Sequence, residues 1–374
     1  LSAATNNNGR TPVSSRLPVF PWDTLSDARS RASAHPGGLV DLTVGAPVDD
    51  VDEGIRRALG DGAAFPGYPT THGTSALREA AAAAMQRRFG VPGIDPQSVL
   101  PVIGTKEVVA GLPSQLGLGA GSTVVIPEIA YPTYEVGALI AGAQVVRADS
   151  LTQLGPERPD LLFINSPSNP TGKVLGIDHL RKVVEWARSR GVIVAADECY
   201  LGLVWEGSAP SILDPEVCDG DFTGLLALHS LSKSSSLAGY RSGFIAGDPV
   251  LVDELLTLRK HAGYIMPMPV QAATTFALQD DAHVETQRER YRRRRAELLP
   301  AVEAAGLRVD DSEAGLYLWA TRDEPCRNTV DWLAGKGILV APGEFYGPRG
   351  ATHVRIALTA TDEAVTEAAK RLRS

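Results

Sequence analysis

Cysteine is scarce in this chain. Cys199, Cys218 and Cys326 are the only three in 374 residues, odd in number and far apart. No disulfide framework and no zinc spacing can be built from them, so a reducing, cytoplasmic setting is the simpler expectation. Long apolar runs are missing too: none approaches the roughly 18–20 residues of a membrane-spanning helix. The polar opening LSAATNNNGRTPVSS lacks the apolar core of an export signal, and residues 1–15 are expected to form a flexible arm. Positive charge is not in surplus. The chain has 36 Lys and Arg against 44 Asp and Glu, a net charge of -8, which argues against nucleic acid as the main partner. The seven histidines show no metal spacing, and no internal repeat is visible.

What is present suits a globular enzyme: 44% apolar and 21% charged residues. The length fits about two or three domains of ~100–200 residues. Seven short apolar runs alternate with helical patterns: SVLPVIG (98–104), STVVIPE (122–128), AQVVRAD (143–149), DLLFINS (160–166), VIVAADE (192–198), LLALHSLS (225–232) and SGFIAGD (242–248). Near-continuous Val, Ile, Leu and Ala suits strands buried on both faces. The β-α order predicts an α/β domain with a mostly parallel sheet covered by helices. In the segment 177–191, Leu180, Val183, Val184 and Ala187 recur at helical spacing, with Asp178 as the expected N-cap and Gly191 as the stop. The last hundred residues differ. A long charged helix (284–306), a strand in GLYLWATR, a helix over 327–337, short strands in ILVAPG and HVRIALTA and a final helix from Thr361 predict a smaller α+β domain.

Two motifs mislead. Gly117-Leu-Gly119-Ala-Gly121 is close to a dinucleotide fingerprint, but it follows a helix and precedes a strand, the reverse of what that fingerprint needs; it reads as a turn. Ser230-Leu-Ser-Lys233 matches the Ser-x-x-Lys of serine penicillin-binding enzymes, whose Ser-Asp-Asn and Lys-Thr-Gly boxes are absent here. His229, inside an apolar strand, reads as a hydrogen-bonded core residue.

Four segments carry chemistry. In HSLSKSSSLAGYRSGFIAG, Lys233 follows a buried strand, which puts its amine at the sheet's end, where open α/β sheets bind ligands. A lone lysine there is ordinarily solvated. Arg241, eight residues on, changes the balance because a guanidinium grips phosphate with a planar fork, and Ser230 and Ser232 add hydroxyl donors. In VIVAADECY, Asp197 and Glu198 point to opposite faces of a strand. A buried Asp197 needs a cationic partner, failing which it would cap the next loop. Tyr200 follows three residues later, and Cys199 is read as packing only. In NSPSNPTGK, two prolines stiffen the loop that carries Asn169. In VIGTKEVVAGL, Gly104-Thr105-Lys106 opens a helix whose backbone N–H groups can bind an anion, although the Lys106 side chain alone reads as solvated. Tyr131 lies just past another strand end, placed for stacking or for core packing. Lysine, acid, amide and anion cup together are the requirement set of pyridoxal phosphate: an imine lysine, a partner for the ring nitrogen, donors for the phenolate oxygen and a phosphate site.

Over nearly its whole length the chain resembles the class I/II aminotransferases of pyridoxal-phosphate fold type I, through Asn-Pro-Thr-Gly, Asp-x-x-Tyr and Ser-x-Ser-Lys with a trailing Arg, in that order. The resemblance implies a large domain (47–275) with a seven-stranded, mostly parallel sheet and a small domain (16–46 and 276–374). It implies Lys233 as the imine lysine, Asp197 as the ring-nitrogen partner, Asn169 and Tyr200 on the phenolate oxygen and Tyr131 stacked on the ring. Gly104, Thr105, Lys106 (by backbone), Ser230, Ser232 and Arg241 would bind phosphate. Arg355, on its own an ordinary strand arginine, and Gly45 would bind the substrate α-carboxylate together with Asn169. Tyr68, in GYPTTHGTSALREA, matches a tyrosine that reaches the partner subunit's phosphate, which implies a homodimer with shared sites. The strings SSRLPVFPWDTL, LPVIGTKE and DSEAGLYLWATR are similar to those of actinobacterial N-succinyldiaminopimelate aminotransferases, although Ser234-Ser235-Ser236 stands where those enzymes carry an Asn. The expected activity is transamination from glutamate to an oxo acid of the lysine/diaminopimelate pathway. Another aminotransferase or a β-lyase on the same scaffold, or a non-catalytic binding protein, are the alternatives.

Overall fold

Each of the seven apolar runs forms a strand. In the computed structural model, which describes residues 12–156 and 158–374, a two-residue strand β1 (Val40–Asp41) precedes them. The seven are β2 (Val99–Val102), β3 (Thr123–Ile126), β4 (Gln144–Arg147), β5 (Leu161–Asn165), β6 (Ile193–Asp197), β7 (Leu225–Ser230) and β8 (Gly243–Gly247). They make one sheet in the order β2-β8-β7-β6-β5-β3-β4. Only β8 runs against its neighbours; the other pairs are parallel. The continuous apolar runs have a direct cause. Val125, Leu162, Ile164, Val194 and Ala196 face one core, while Val124, Leu161, Phe163 and Ala195 face another. With helices on both sides, both positions of the two-residue repeat must be apolar.

The rest of the chain builds a second sheet. β9 (Arg308–Asp310), β10 (Tyr317–Thr321), β12 (Ala341–Pro342) and β13 (His353–Ala357) pair antiparallel in the order β12-β13-β10-β9. β11 (Ile338–Leu339) pairs in parallel with β1, tying the start of the chain to its end. A third core of Leu25, Leu42, Leu298, Leu318, Val354 and Ile356 fills this part.

Two details depart from the sequence-based expectation. The helix Ile177–Arg190 ends at Gly191 with φ +62°, as expected, but its N-cap is Gly176. Asp178 lies inside the first turn, where its charge still favours the helix dipole, and pairs with Arg181 at 3.3 Å. Of the arm expected at 1–15, residues 1–11 lie outside the described residues, and Val13–Arg16 form a 3-10 turn. Among the described residues no helix is long and apolar enough to cross a membrane, and no cluster of metal-ligating side chains occurs.

One buried ion pair fixes a helix that the site depends on. Arg259, without solvent exposure, donates to Glu107 Oε1 at 3.0 Å, to Glu107 Oε2 at 2.8 Å and to Gln115 Oε1 at 3.1 Å. It clamps helix Thr105–Gln115 to helix Pro249–Ala262. Arg259→Ala strands Glu107. Because Glu107 keeps some solvent contact, the cost belongs at the low end for broken buried pairs, about 3 kcal/mol. Urea unfolding monitored by circular dichroism checks this, and an unchanged midpoint contradicts it.

Candidate active site

The carboxyl ends of the parallel strands and the amino end of β8 open onto a cleft of about 460 Å³. Gly45, Thr105, Lys106, Tyr131, Asn169, Asp197, Tyr200, Ser230, Ser232, Lys233, Arg241 and Arg355 all line it. Of the residues singled out from sequence, two do not. Gly104 lies just behind Arg241. Tyr68 is 96% exposed and is not part of the cleft of its own chain.

β7 ends at Ser230, whose hydroxyl accepts the Ser232 N–H at 3.1 Å and caps the short helix Leu231–Ser234. This turn carries Lys233 into the cleft, where Nζ donates to the Gly45 carbonyl. Burial first, then the Arg355 and Arg241 charges, hold the Lys233 ammonium below the usual lysine range, against an upward pull from Tyr317 and Cys199.

At the end of β6, Asp197 accepts the Tyr134 hydroxyl at 2.7 Å and the Cys199 N–H at 3.2 Å. Burial pushes its carboxyl above the ordinary range despite these bonds, so a cationic N–H beside it would be held strongly. Glu198 faces the other way, as strand alternation requires. It accepts from Ser211 Oγ at 2.8 Å and from Ile212 N–H at 2.6 Å. Its Oε2 lies 3.0 Å from His229 Nε2, which places His229 in the core.

The loop after β5 is held from within. The Asn169 N–H donates to Asn165 Oδ1 at 2.7 Å, and Asn165 Nδ2 donates to the Asp197 carbonyl at 2.8 Å. Asn165 thus ties the loop to β6. Sequence reasoning missed it; the only signal was a polar residue closing an apolar run. Asn169 Oδ1 in turn accepts from Arg355 Nη1 at 2.9 Å. In β13, Val354 and Ile356 point into the third core, which turns Arg355 to the cleft. It is 3% exposed, donates to the Thr43 carbonyl at 2.6 Å and stacks 3.9 Å over the Tyr317 ring. Its Nε has no partner among the described residues. Tyr317, whose hydroxyl is 3.2 Å from that of Tyr200, was also missed, as were Phe20, Trp22 and Val44 on the rim.

The anion cup forms where β2 meets helix Thr105–Gln115. No side chain caps this helix start, so its first backbone N–H groups are open to an anion. Gly104 has φ +90°, a conformation that side chains strain to adopt, and a Cβ on it would overlap the Arg241 guanidinium. The Lys106 side chain is exposed, leaving its backbone as the contribution to the cup.

Residues 38–372 match the family model for aminotransferase class I and II. A probable aminotransferase of Mycobacterium tuberculosis is 64% identical over 372 residues, covering 100% of this chain and 88% of that one. The 4-dedimethylamino-4-oxo-anhydrotetracycline transaminase OxyQ of Streptomyces rimosus is 55% identical over 356 residues, 95% of this chain and 99% of its own. Among solved structures, a probable N-succinyldiaminopimelate aminotransferase from Thermus thermophilus superposes with a TM-score of 0.85 at 29% identity, covering 95% of this chain and 99% of that one.

If this helix start and Arg241 hold the phosphate of pyridoxal phosphate, Gly104→Ala should displace Arg241 and weaken cofactor binding by at least ~10-fold, the loss of about one charge-assisted hydrogen bond. Equilibrium dialysis of the cofactor checks this, and an unchanged affinity contradicts it.

Proposed function

The chain belongs to the class I and II aminotransferases, and from that membership we propose a specific reaction: transfer of the amino group of glutamate to N-succinyl-2-amino-6-oxopimelate, in the lysine/diaminopimelate pathway. The cofactor is pyridoxal phosphate, which members of this family use. The residues present fit it. Gly104 leaves room for Arg241 that a Cβ would fill, the helix start beside it has open N–H groups, and three hydroxyls, a buried carboxylate and an amine line the same cleft. When bound, the cofactor supplies a carbonyl carbon that takes the amino group and a ring that holds the electrons left at the substrate α-carbon.

In this reading the chain's own groups divide the work. Gly104, Thr105 and Lys106 (by backbone), with Ser230, Ser232 and Arg241, hold the phosphate. With the cofactor bound, Asp197 would keep a proton on the ring nitrogen, Asn169 and Tyr200 would bind the phenolate oxygen, and Tyr131 would stack on the ring. Arg355, beside Gly45 and Asn169, grips the α-carboxylate of both substrates with its planar fork. Lys233 is the attachment point. Once free, its amine would take the proton from the α-carbon of the donor and would return one to the α-carbon of the acceptor. An ammonium held below its usual range suits that task. The carrying observation is that Lys233 from the helix after β7, Asp197 from the end of β6 and Arg355 from β13 arrive at one cleft.

The same reading takes the protein as a cytoplasmic homodimer in which Tyr68, exposed on its own chain, reaches the partner's phosphate. The cleft would then lie between a large domain (47–275) and a small one (16–46 and 276–374). The succinylated acceptor is supported by the motif resemblance and by the Thermus thermophilus structure. A second reading has its own observation. Phe20, Trp22 and Val44 make an uncharged rim, and OxyQ is named for a tetracycline-type oxo substrate; a flat aromatic ketone would suit such a rim.

A panel of acceptors with glutamate as donor separates them. The succinylated oxo acid is expected to exceed acetylated, unmodified and aromatic-ketone acceptors in kcat/KM by at least ~10-fold. A faster aromatic ketone would overturn this assignment. Lys233→Ala should lose transamination, and full turnover in that variant would contradict the proposed chemistry.

A further inference from the structure

The turn that carries Lys233 has little internal support. Its helix, Leu231–Ser234, is four residues long, and so short a helix is marginal by itself. Three serines follow the lysine, a residue type whose hydroxyl competes with helical bonds. Ser236 is left-handed at φ +54°, a conformation uncommon outside glycine.

Two side chains of one distant element reach this turn. In the long helix Ala282–Ala304, His283, Gln287 and Tyr291 lie on one buried face. The Tyr291 hydroxyl donates to the Lys233 carbonyl at 3.3 Å. His283 Nε2 lies 2.9 Å from Ser235 Oγ, and His283 Nδ1 lies 2.7 Å from Asp280 Oδ2. The same carboxylate accepts the His283 backbone N–H at 3.0 Å, which seats the ring at the helix start. An ionised carboxylate only accepts, so Nδ1 carries a hydrogen. In the neutral ring Nε2 then accepts from the Ser235 hydroxyl, and in the charged ring it donates; the bond persists either way. Leucine would fill the place of His283 in the core. It lacks the nitrogen that bonds to Ser235, 48 residues away in the chain.

We propose that His283 is a positioning residue for Lys233: through Ser235 it fixes the turn from which the catalytic amine sets out. This rests on the aminotransferase reading and on Lys233 as its base. The far end of the same helix reaches the third core, where Leu298, Ala301 and Val302 pack with Val354 and Ile356 of β13. The strand that presents Arg355 and the turn that presents Lys233 are therefore fixed to one rod. A carboxylate held by Arg355 places the α-carbon, and the His283–Ser235 bond places the amine that must reach it.

His283→Leu keeps the volume and removes the bond; Ser235→Ala removes it from the other side. In folded holoenzyme either change should lower kcat for glutamate by at least ~10-fold, the order of loss for a misplaced catalytic group. KM should stay within about twofold, because Arg355 and its partners are untouched. With glutamate deuterated at the α-carbon, kcat of both variants should show a large isotope effect, since proton transfer by Lys233 is then the slow step. The double variant should be no slower than the slower single one, because only one bond is lost. A contact that merely stabilises the fold would lower the melting temperature and leave kcat of folded holoenzyme as it is. Unchanged kcat, a loss of kcat without an isotope effect, or losses that multiply in the double variant would overturn the proposal. A native holoenzyme that transaminates no amino acid would remove the parent reading and this role with it; an active native enzyme with unaffected variants strikes the role of His283 alone.

Discussion

A buried guanidinium with no carboxylate beside it among the described residues is the constraint around which this cleft is organised. Arg355 is 3% exposed, and its partners are the Asn169 side-chain oxygen, the Thr43 carbonyl and the Tyr317 ring. Dipoles and a π-face offset part of the cost of burying a charge, but not all of it. The Nε–H without a partner marks what is left over. A site in this condition favours an anionic ligand, and in the proposed reaction an amino acid's carboxylate would supply the missing charge in matching planar geometry.

The same charge reaches the rest of the chemistry. It helps to hold the Lys233 ammonium below its usual range and draws Tyr317 in the same direction. Through Asn169 it touches the loop that Asn165 ties to β6 and to Asp197. Cation, amine and phenol thus act on one another electrostatically, and the Asp197 backbone joins them through hydrogen bonds. They come from distant stretches of chain: the parallel strand ends of the large sheet bring Asp197 and Lys233 to one edge, and the antiparallel sheet supplies Tyr317 and Arg355.

How much of this was legible in the sequence follows from range. All seven strands of the large sheet could be read from apolar runs, because burial on both faces leaves a continuous signal. Lys233, Asp197, Asn169 and Arg241 could be read as neighbours of one cleft because their strings, each weak alone, together match one requirement set. Asn165, Tyr134 and Tyr317 could not. Their roles consist of contacts across 32, 63 and 117 residues of chain, and nothing local marks a tyrosine that bonds to a carboxylate from one that merely packs. The start of helix Ile177–Arg190 was misread for a related reason: Asp178 is favourable both as a cap and in the first turn, and only the backbone separates the two.

The central claim is that the amine of Lys233 is where pyridoxal phosphate joins this chain. Protein purified with the cofactor, reduced with borohydride and digested, would be mapped by peptide mass spectrometry. A single cofactor-sized mass increment on the peptide containing Lys233 is the expected result. An increment on Lys106 or Lys173 instead, or on no lysine in a preparation that retains cofactor, would contradict it.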